Sequence, residues 1–344
     1  MYDSPNGGFN KGFGEFLRAV RNACIDGKMD GRLKTTGHME TGVDSQGGFL
    51  CPEEWADQIM NIGMETAIVR PRAQIIKATS DSLKVGRIVE SSRASTLFGG
   101  ISFTWTAEAG EKATLISKPT LGELELTPHK LVGGCFVSNE LMADYDNFAA
   151  FMTQSFGQAL RYEEDYIFIW GTGAGQPLGI MNSGALKTTA RSTYGPIGGG
   201  VDIADIGRLA GGLLPACWPT AVWLVHPSVF TNFDNTAGAN TSTIYEISNF
   251  ECLGRPIIMT DKCEQTPVLG DIILADFNHY VIADRSLEIS ASRDANYSSM
   301  GFLTDETFWR VVLRVDGQPI MDAPITPRNG TDTQSAFVAL TAES

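Results

Sequence analysis

The chain has 344 residues, 43% hydrophobic and 19% charged, which is the make-up of a folded protein with a sizeable core and not of a disordered one. A formal charge of −14 repels polyanions and argues against broad binding to a phosphate backbone. Six scattered cysteines with no C-x-x-C pair, behind no basic-then-apolar leader, read as reduced and mostly buried thiols.

Residues 1–48 read as an amino-terminal arm. The first 36 carry six basic and four acidic side chains, so a mildly basic arm precedes an acidic body. After a stretch rich in Gly, Asn and Ser, the residues Phe13, Phe16, Leu17, Val20 and Cys24 recur at helical spacing and predict a short amphipathic helix, ended by Asp26-Gly27. So few apolar residues cannot fold alone, and this face must dock on the body or on a neighbour. Residues 49–80 begin the body with a second helix, "CPEEWADQIMNIGMET", which has Pro52 in its first turn and Trp55, Ile59 and Ile62 along one face.

Between Ser82 and Pro128 the pattern turns strand-like. "SLKVGRIV", "ISFTWTAE" and "LGELELTP" alternate apolar and polar residues, with polar Gly- and Ser-rich runs between them. Residues 81–120 therefore read as a long, thin β-hairpin. A two-stranded ribbon is marginal in water and its edge invites pairing, so it must lie on this subunit or be covered by another.

A long helix is expected at about 147–170, within residues 121–200. Its stripe is Phe148, Phe151, Ser155, Phe156, Ala159, Tyr162, Glu163 and Tyr166, with Asp146 or Asn147 as cap. Beyond residue 200, helix-like "DIADIGRLAGGLL" gives way to strands at "TAVWLVHPSVF", "RPIIMTD", "DIILADFNHYVIAD", "SLEISAS" and "TFWRVVLRVDGQPI". The class is α+β, without a repeat. The most apolar stretch, "GGLLPACWPTAVWLV", contains two prolines and is too short to span a bilayer.

"FIWGTGAGQPLGI", residues 168–180, has the spacing of a phosphate loop but not its chemistry. A Walker loop ends in Gly-Lys-Ser/Thr, whereas Gly175 is followed by Gln176 and Pro177. A dinucleotide loop precedes a helix, whose amino terminus meets the phosphate; here the helix precedes the loop and offers its negative pole. Gly171 is expected as the left-handed residue that stops the helix, with Gly173 and Gly175 permitting a tight turn.

Other chemistry is sparse. The four histidines form no H-x-x-x-H pair, and no G-x-S-x-G elbow exists. Asp261, Asp276, His279 and Asp284 offer metal-ligand types at strand ends, but acidic residues there are ordinarily solvated. No catalytic residue, cofactor or metal is expected.

Several segments in order carry a resemblance: "DSQGGFLCPEEWADQI", "FTWTAEAGEKATLISKPTLGELELTPHKLVGGCFVSNELMAD", "DYIFIWGTGAGQPLGIMN", "VHPSVFTNF", "LGRPIIMTDKC", "ILADFNHYVIADR" and "FWRVVLRVDGQPIMDAPI". From about Gly12 to Leu340 the chain resembles the major capsid proteins of tailed bacteriophages, the family with the Hong Kong 97 phage fold. The resemblance implies an N-terminal arm (1–48), the start of a peripheral domain (49–80) and an extended β-hairpin loop (81–120). It further implies a peripheral domain with a long spine helix (121–200), an axial domain (201–284), peripheral-domain strands (285–315) and a C-terminal return to the axial domain (316–344).

What the resemblance implies for function is a homo-oligomer, with pentamers and hexamers closing into an icosahedral shell around packaged double-stranded DNA. The DNA is enclosed without sequence-specific binding. Further implied are assembly in the host bacterial cytoplasm, residence in the virion, no membrane, and portal, scaffolding or decoration proteins as partners. Phe13, Phe16 and Leu17 on the arm, and Arg87, Arg93, Glu108, Glu111, Lys112 and Lys118 on the hairpin, are then candidate subunit contacts. Some members crosslink an extended-loop lysine to an asparagine with help from a glutamate. Lys118 matches the lysine's setting, but the partner positions fall near Gly301 and Phe308, which cannot do that chemistry, so no crosslink is expected. Two competing readings are an encapsulin-like compartment of the same fold, separated by its arm, and a soluble nucleotide-dependent enzyme, disfavoured by the glycine loop.

Overall fold

In a computed structural model of the chain, the described residues are 9, 12–25, 30–33, 49–50, 67–94, 97–101, 103, 105, 121–138, 140, 145–191, 201, 203–229, 245–246, 250–292 and 306–342. The expected helix at 51–66 lies outside them, as does most of "ISFTWTAE". The chain divides into two units. One comprises 1–67, 128–164 and 284–315; the other comprises 68–127, 165–283 and 316–344.

In the first unit, helix α1 (Phe13–Ile25) forms where the apolar spacing predicts it. Phe16, Leu17 and Val20 are fully covered and Phe13 nearly so. Phe9 meets Phe16 edge-on with ring centroids 5.6 Å apart. The Arg32 guanidinium lies 4.4 Å over the Phe9 ring and pairs with Glu15 at 3.0 Å. The Cys24 thiol at the end of α1 engages the Ala291 backbone. The arm helix is thus sealed by its own chain, and Phe13, Phe16 and Leu17 pass from candidate subunit contacts to core. Spacing identifies a sticky face but not what covers it.

Four strands of a five-stranded sheet enter this unit: β1 (Phe49–Leu50), β5 (His129–Ser138), β12 (Tyr280–Ser292) and β13 (Glu306–Pro319), in the order β1-β12-β13-β5. β5 and β13 are antiparallel from Glu306↔Ser138 to Val315↔His129. Trp309, wholly buried, sits opposite Cys135.

Helix α2 (Tyr145–Trp170) starts two residues ahead of expectation, so Asp146 and Asn147 fall inside its first turn. Its buried stripe differs from the expected one. Met152, Arg161 and Glu164 are covered, followed by Asp165, Phe168 and Ile169, whereas Phe151, Tyr162 and Tyr166 are each nearly half exposed. Arg161 and Glu164 bury as a hydrogen-bonded ion pair one turn apart, which is how charged side chains become tolerable inside. A count of apolar residues by face cannot anticipate such a pair.

The second unit holds β6 (Leu186–Thr189), β7 (Val222–Val225), β8 (Tyr245–Glu246), β9 (Glu251–Cys252), β10 (Arg255–Met259), β11 (Ile272–Ala275) and β14 (Phe337–Leu340). They form one mixed sheet in the order β6-β14-β11-β7-β10-β9-β8, with β7–β10 and β6–β14 parallel. Every residue of β7, β11 and β14 is buried, as continuous apolar runs such as "VWLV" and "IILA" require. Helix α3 (Ile203–Gly212) packs on β14 and β6. β2 (Gln74–Lys77) pairs with β12, while β3 (Leu83–Ile88) and β4 (Leu121–Leu126) form a separate ribbon. Among the described residues, no helix is long and apolar enough to cross a membrane.

Candidate functional site

The β3–β4 ribbon has two unequal faces. Its register runs from Leu83↔Leu126 to Ile88↔Leu121. The inward pairs Leu83/Leu126 and Val85/Leu124 pack with Ile76, Ala78, Val281, Ala283 and Ile320. The inward face of the ribbon therefore lies on its own subunit, one of the two alternatives the sequence left open. On the outward face Lys84 reaches diagonally to Glu123 at 3.0 Å, an exposed pair of little energetic weight. The outward face is left uncovered by the chain: Ile88 and Leu121, paired on it, are 55% and 76% exposed, whereas inward Leu124 is 4% exposed; farther along the chain Phe103 is 80% exposed and Trp105 fully so. A water-facing row of large apolar groups is costly unless something else covers it.

The turn beyond β3 is built around one carboxylate. Glu90 accepts two hydrogen bonds from Arg93, at 3.1 and 3.0 Å, and one from the Phe98 amide at 3.1 Å. Those Arg93 bonds hold the Glu90 carboxyl below its usual range. Phe98 is held left-handed at φ 47° with its ring 59% exposed, a strained backbone for a non-glycine residue. The strand bridge Ser92↔Thr326 ties this turn to the C-terminal segment.

Of the hairpin candidates, Arg87 and Arg93 are engaged inside the unit. Arg87 crosses over Gly122, whose missing Cβ leaves room for it, to reach Asp322 at 2.5 Å and the Ile320 carbonyl at 3.1 Å. Arg93 is turned to Glu90. Both positions anchor the ribbon to its own chain, because the nearest acceptors to a long cation lie on that chain. Glu108, Glu111, Lys112 and Lys118 lie outside the described residues, as does Gly301; Phe308 is in β13, its ring 5.0 Å from that of Phe136.

The glycine turn after α2 is a packing device. Gly173 and Gly175 have φ of 76° and 72°, as a tight turn needs. Gly171 is not left-handed, which corrects the expectation for it. A Cβ there would lie 2.2 Å from the Pro177 carbonyl oxygen and 2.6 Å from that of Ile167. Glycine is required at this point by the approach of two backbones, and Gly179 donates to the Gly171 carbonyl at 2.9 Å across the same contact.

Two features escaped the sequence reading. Asp165, fully buried near the end of α2, accepts the Ile68 and Val69 amides at 2.8 and 3.0 Å and faces Lys262 Nζ at 3.3 Å. Its only signal was an acid three residues after Tyr162. In addition, the α2 face bearing Phe151, Phe156 and Leu160 lines an open apolar groove of about 350 Å³ with Leu131 and Val132 of β5.

Of the metal-ligand types, Asp276 and His279 come together, and Cys217 joins them; Asp261 and Asp284 stay apart from this group. Asp276 is buried, not solvated as expected. Burial opposes its charged form, yet hydrogen bonds from His279, Asn278 and Thr220 hold its carboxyl below the usual range. Burial, with Asp276 alongside, pushes the Cys217 thiol up to about 12. None of the five described cysteines forms a disulfide with another of them.

A sequence model described as the phage capsid family matches residues 47–329. Among solved structures, the capsid subunit of an empty GTA particle is 16% identical with a TM-score of 0.55, aligned over 81% of this chain and 90% of that one. A structure from Mycobacterium phage Bobi is 14% identical at TM-score 0.55, over 81% and 91%. The satellite phage P4 procapsid is 10% identical at TM-score 0.53, over 90% and 95%. These likenesses establish the Hong Kong 97-type α+β fold. No curated protein matches the sequence.

Proposed function

The chain belongs to the phage capsid family, and from that premise we propose that it is the major shell protein of a tailed phage, closing as pentamers and hexamers around packaged double-stranded DNA. The observation that carries this reading is the uncovered apolar surface on and beside the ribbon. Ile88, Phe98, Leu121, Phe103 and Trp105 present apolar side chains that the single chain leaves in water, while the inward face of the same ribbon is packed and anchored. A ribbon packed on one face and apolar on the other is suited to docking on a sister copy, where obligate interfaces bury on the order of 2,000–5,000 Å². The charge of −14 suits a container that holds DNA without adhering to it. A structural role of this kind needs no catalytic group, and the glycine turn offers none. Symmetric closure sums many modest contacts, and portal, scaffolding or decoration proteins would complete such a particle in the host cytoplasm.

Replacing Phe103 and Trp105 together by Asp tests the reading. Assembly should be lost, by electron microscopy and sedimentation, with the far-UV circular dichroism of the chain unchanged. Normal particle yield from this double variant would overturn the docking role of the ribbon. Nucleic acid in purified wild-type particles supports the genome shell; particles filled with protein cargo and free of nucleic acid would favour a compartment instead.

A further inference from the structure

We propose that Cys217, Asp276 and His279 form a zinc site in the second unit. The residues arrive on two short turns. Asp276 caps the 3-10 turn Phe277–His279, accepting the Asn278 amide at 3.1 Å, so Asp and His at i and i+3 face the same way. Cys217 ends the 3-10 turn Pro215–Cys217. Thiol, carboxylate and imidazole donor atoms all lie within 4.8 Å of one another.

The distances select a metal over a catalytic relay. Cys217 Sγ lies 3.7 Å from His279 Nδ1, and Asp276 Oδ2 lies 3.2 Å from the same nitrogen. A relay needs its two partners on opposite ring nitrogens, so that one is oriented while the other moves a proton. Here both converge on one. Tetrahedral zinc with bonds of about 2.0–2.3 Å sets its donors about 3.3–3.6 Å apart, close to the two separations that His279 Nδ1 already makes. The mixture of thiolate, imidazole and carboxylate suits Zn²⁺ and not the all-oxygen shells of Mg²⁺ or Ca²⁺.

The surroundings are those of a supported site. Asp276 is oriented by the Asn278 amide and by the Thr220 hydroxyl, the outer shell that fixes a ligating carboxylate. Cys217 and Asp276 are buried, and His279 borders a cavity of about 470 Å³ through which an ion and a completing water can arrive. Of the two arginines on that cavity wall, Arg93 is turned to Glu90 and Arg87 to Asp322. Binding is written simply: Zn²⁺ displaces the thiol proton to solvent, the imidazole proton that Nδ1 shares with Asp276 is exchanged through solvent to Nε2, and Nδ1, Sγ and Oδ2 each donate a lone pair. The ion would pin two turns that otherwise meet only through hydrogen bonds.

Cobalt is the probe. Tag-free, reduced, metal-stripped full-length protein is titrated with Co²⁺ and followed by absorption. A single equivalent should raise a thiolate-to-cobalt band in the near ultraviolet with tetrahedral bands in the visible, all bleached by added Zn²⁺. Cys217→Ser and His279→Gln should each weaken Co²⁺ binding at least ~100-fold, and Thr220→Val roughly tenfold; Cys263→Ala, a buried thiol outside the cluster, should leave it intact. His279 is part-exposed, so its variant serves even if Cys217→Ser misfolds. Folded wild type without the bands, or bands of undiminished affinity in His279→Gln, would overturn the site.

Discussion

Glycines 171 and 175 stand in one turn for different reasons, and substitution separates them. Alanine at 171 puts a Cβ against two carbonyl oxygens at 2.2 and 2.6 Å, a backbone overlap expected to cost about 1–3 kcal/mol or more. Alanine at 175 meets nothing within 4 Å and bears only its positive φ, about 1–2 kcal/mol. Urea unfolding of both variants should rank Gly171→Ala as the worse. Glu90 carries a pH-dependent contribution. Its folded pKa is lowered, so its stabilisation is complete above the unfolded value of about 4.3 and fades as pH falls through the folded one. Glu90→Gln should therefore be about 1–3 kcal/mol less stable than wild type at pH 7, with the gap closing toward pH 3. A gap that stays constant across that range would show that its charge plays no part.

At the scale of elements, the ribbon's two leucines should behave oppositely. Leu124, packed among Ala78 and Val281, should cost about 2–5 kcal/mol when cut to alanine, read from chemical denaturation of the unassembled chain. Leu121, 76% exposed, should change that stability by less than about 0.5 kcal/mol yet lower particle yield. Equal effects on both measurements would erase the distinction between the inward and outward faces. Helix α2 teaches a related lesson. Its length and end were legible from spacing and from the glycines that follow, but its buried face was not, because Arg161, Glu164 and Asp165 enter the interior only with partners. Propensity and periodicity score single residues, and burial of a charge depends on a second residue elsewhere.

For the molecule as a whole, the division into two units falls inside α2, β12 and β13, so neither unit is one continuous stretch of chain. Boiled, denatured particles should run as a single monomer-sized band, because Phe308 has no group that could join a lysine; a ladder of covalent oligomers would contradict this. Class, family resemblance, helix α1 and the extent of α2 were all set by local order: spacing, turn residues, and which element precedes which. Such properties depend on neighbours along the chain. Which faces are covered was decided only by tertiary structure. Amphipathic patterning yields a sealed helix at Phe16 but an uncovered strand position at Leu121, and Cys217 meets His279 only because the fold brings two distant turns together. Burial is a relation between segments separated along the chain, and no periodicity within one segment encodes its partner.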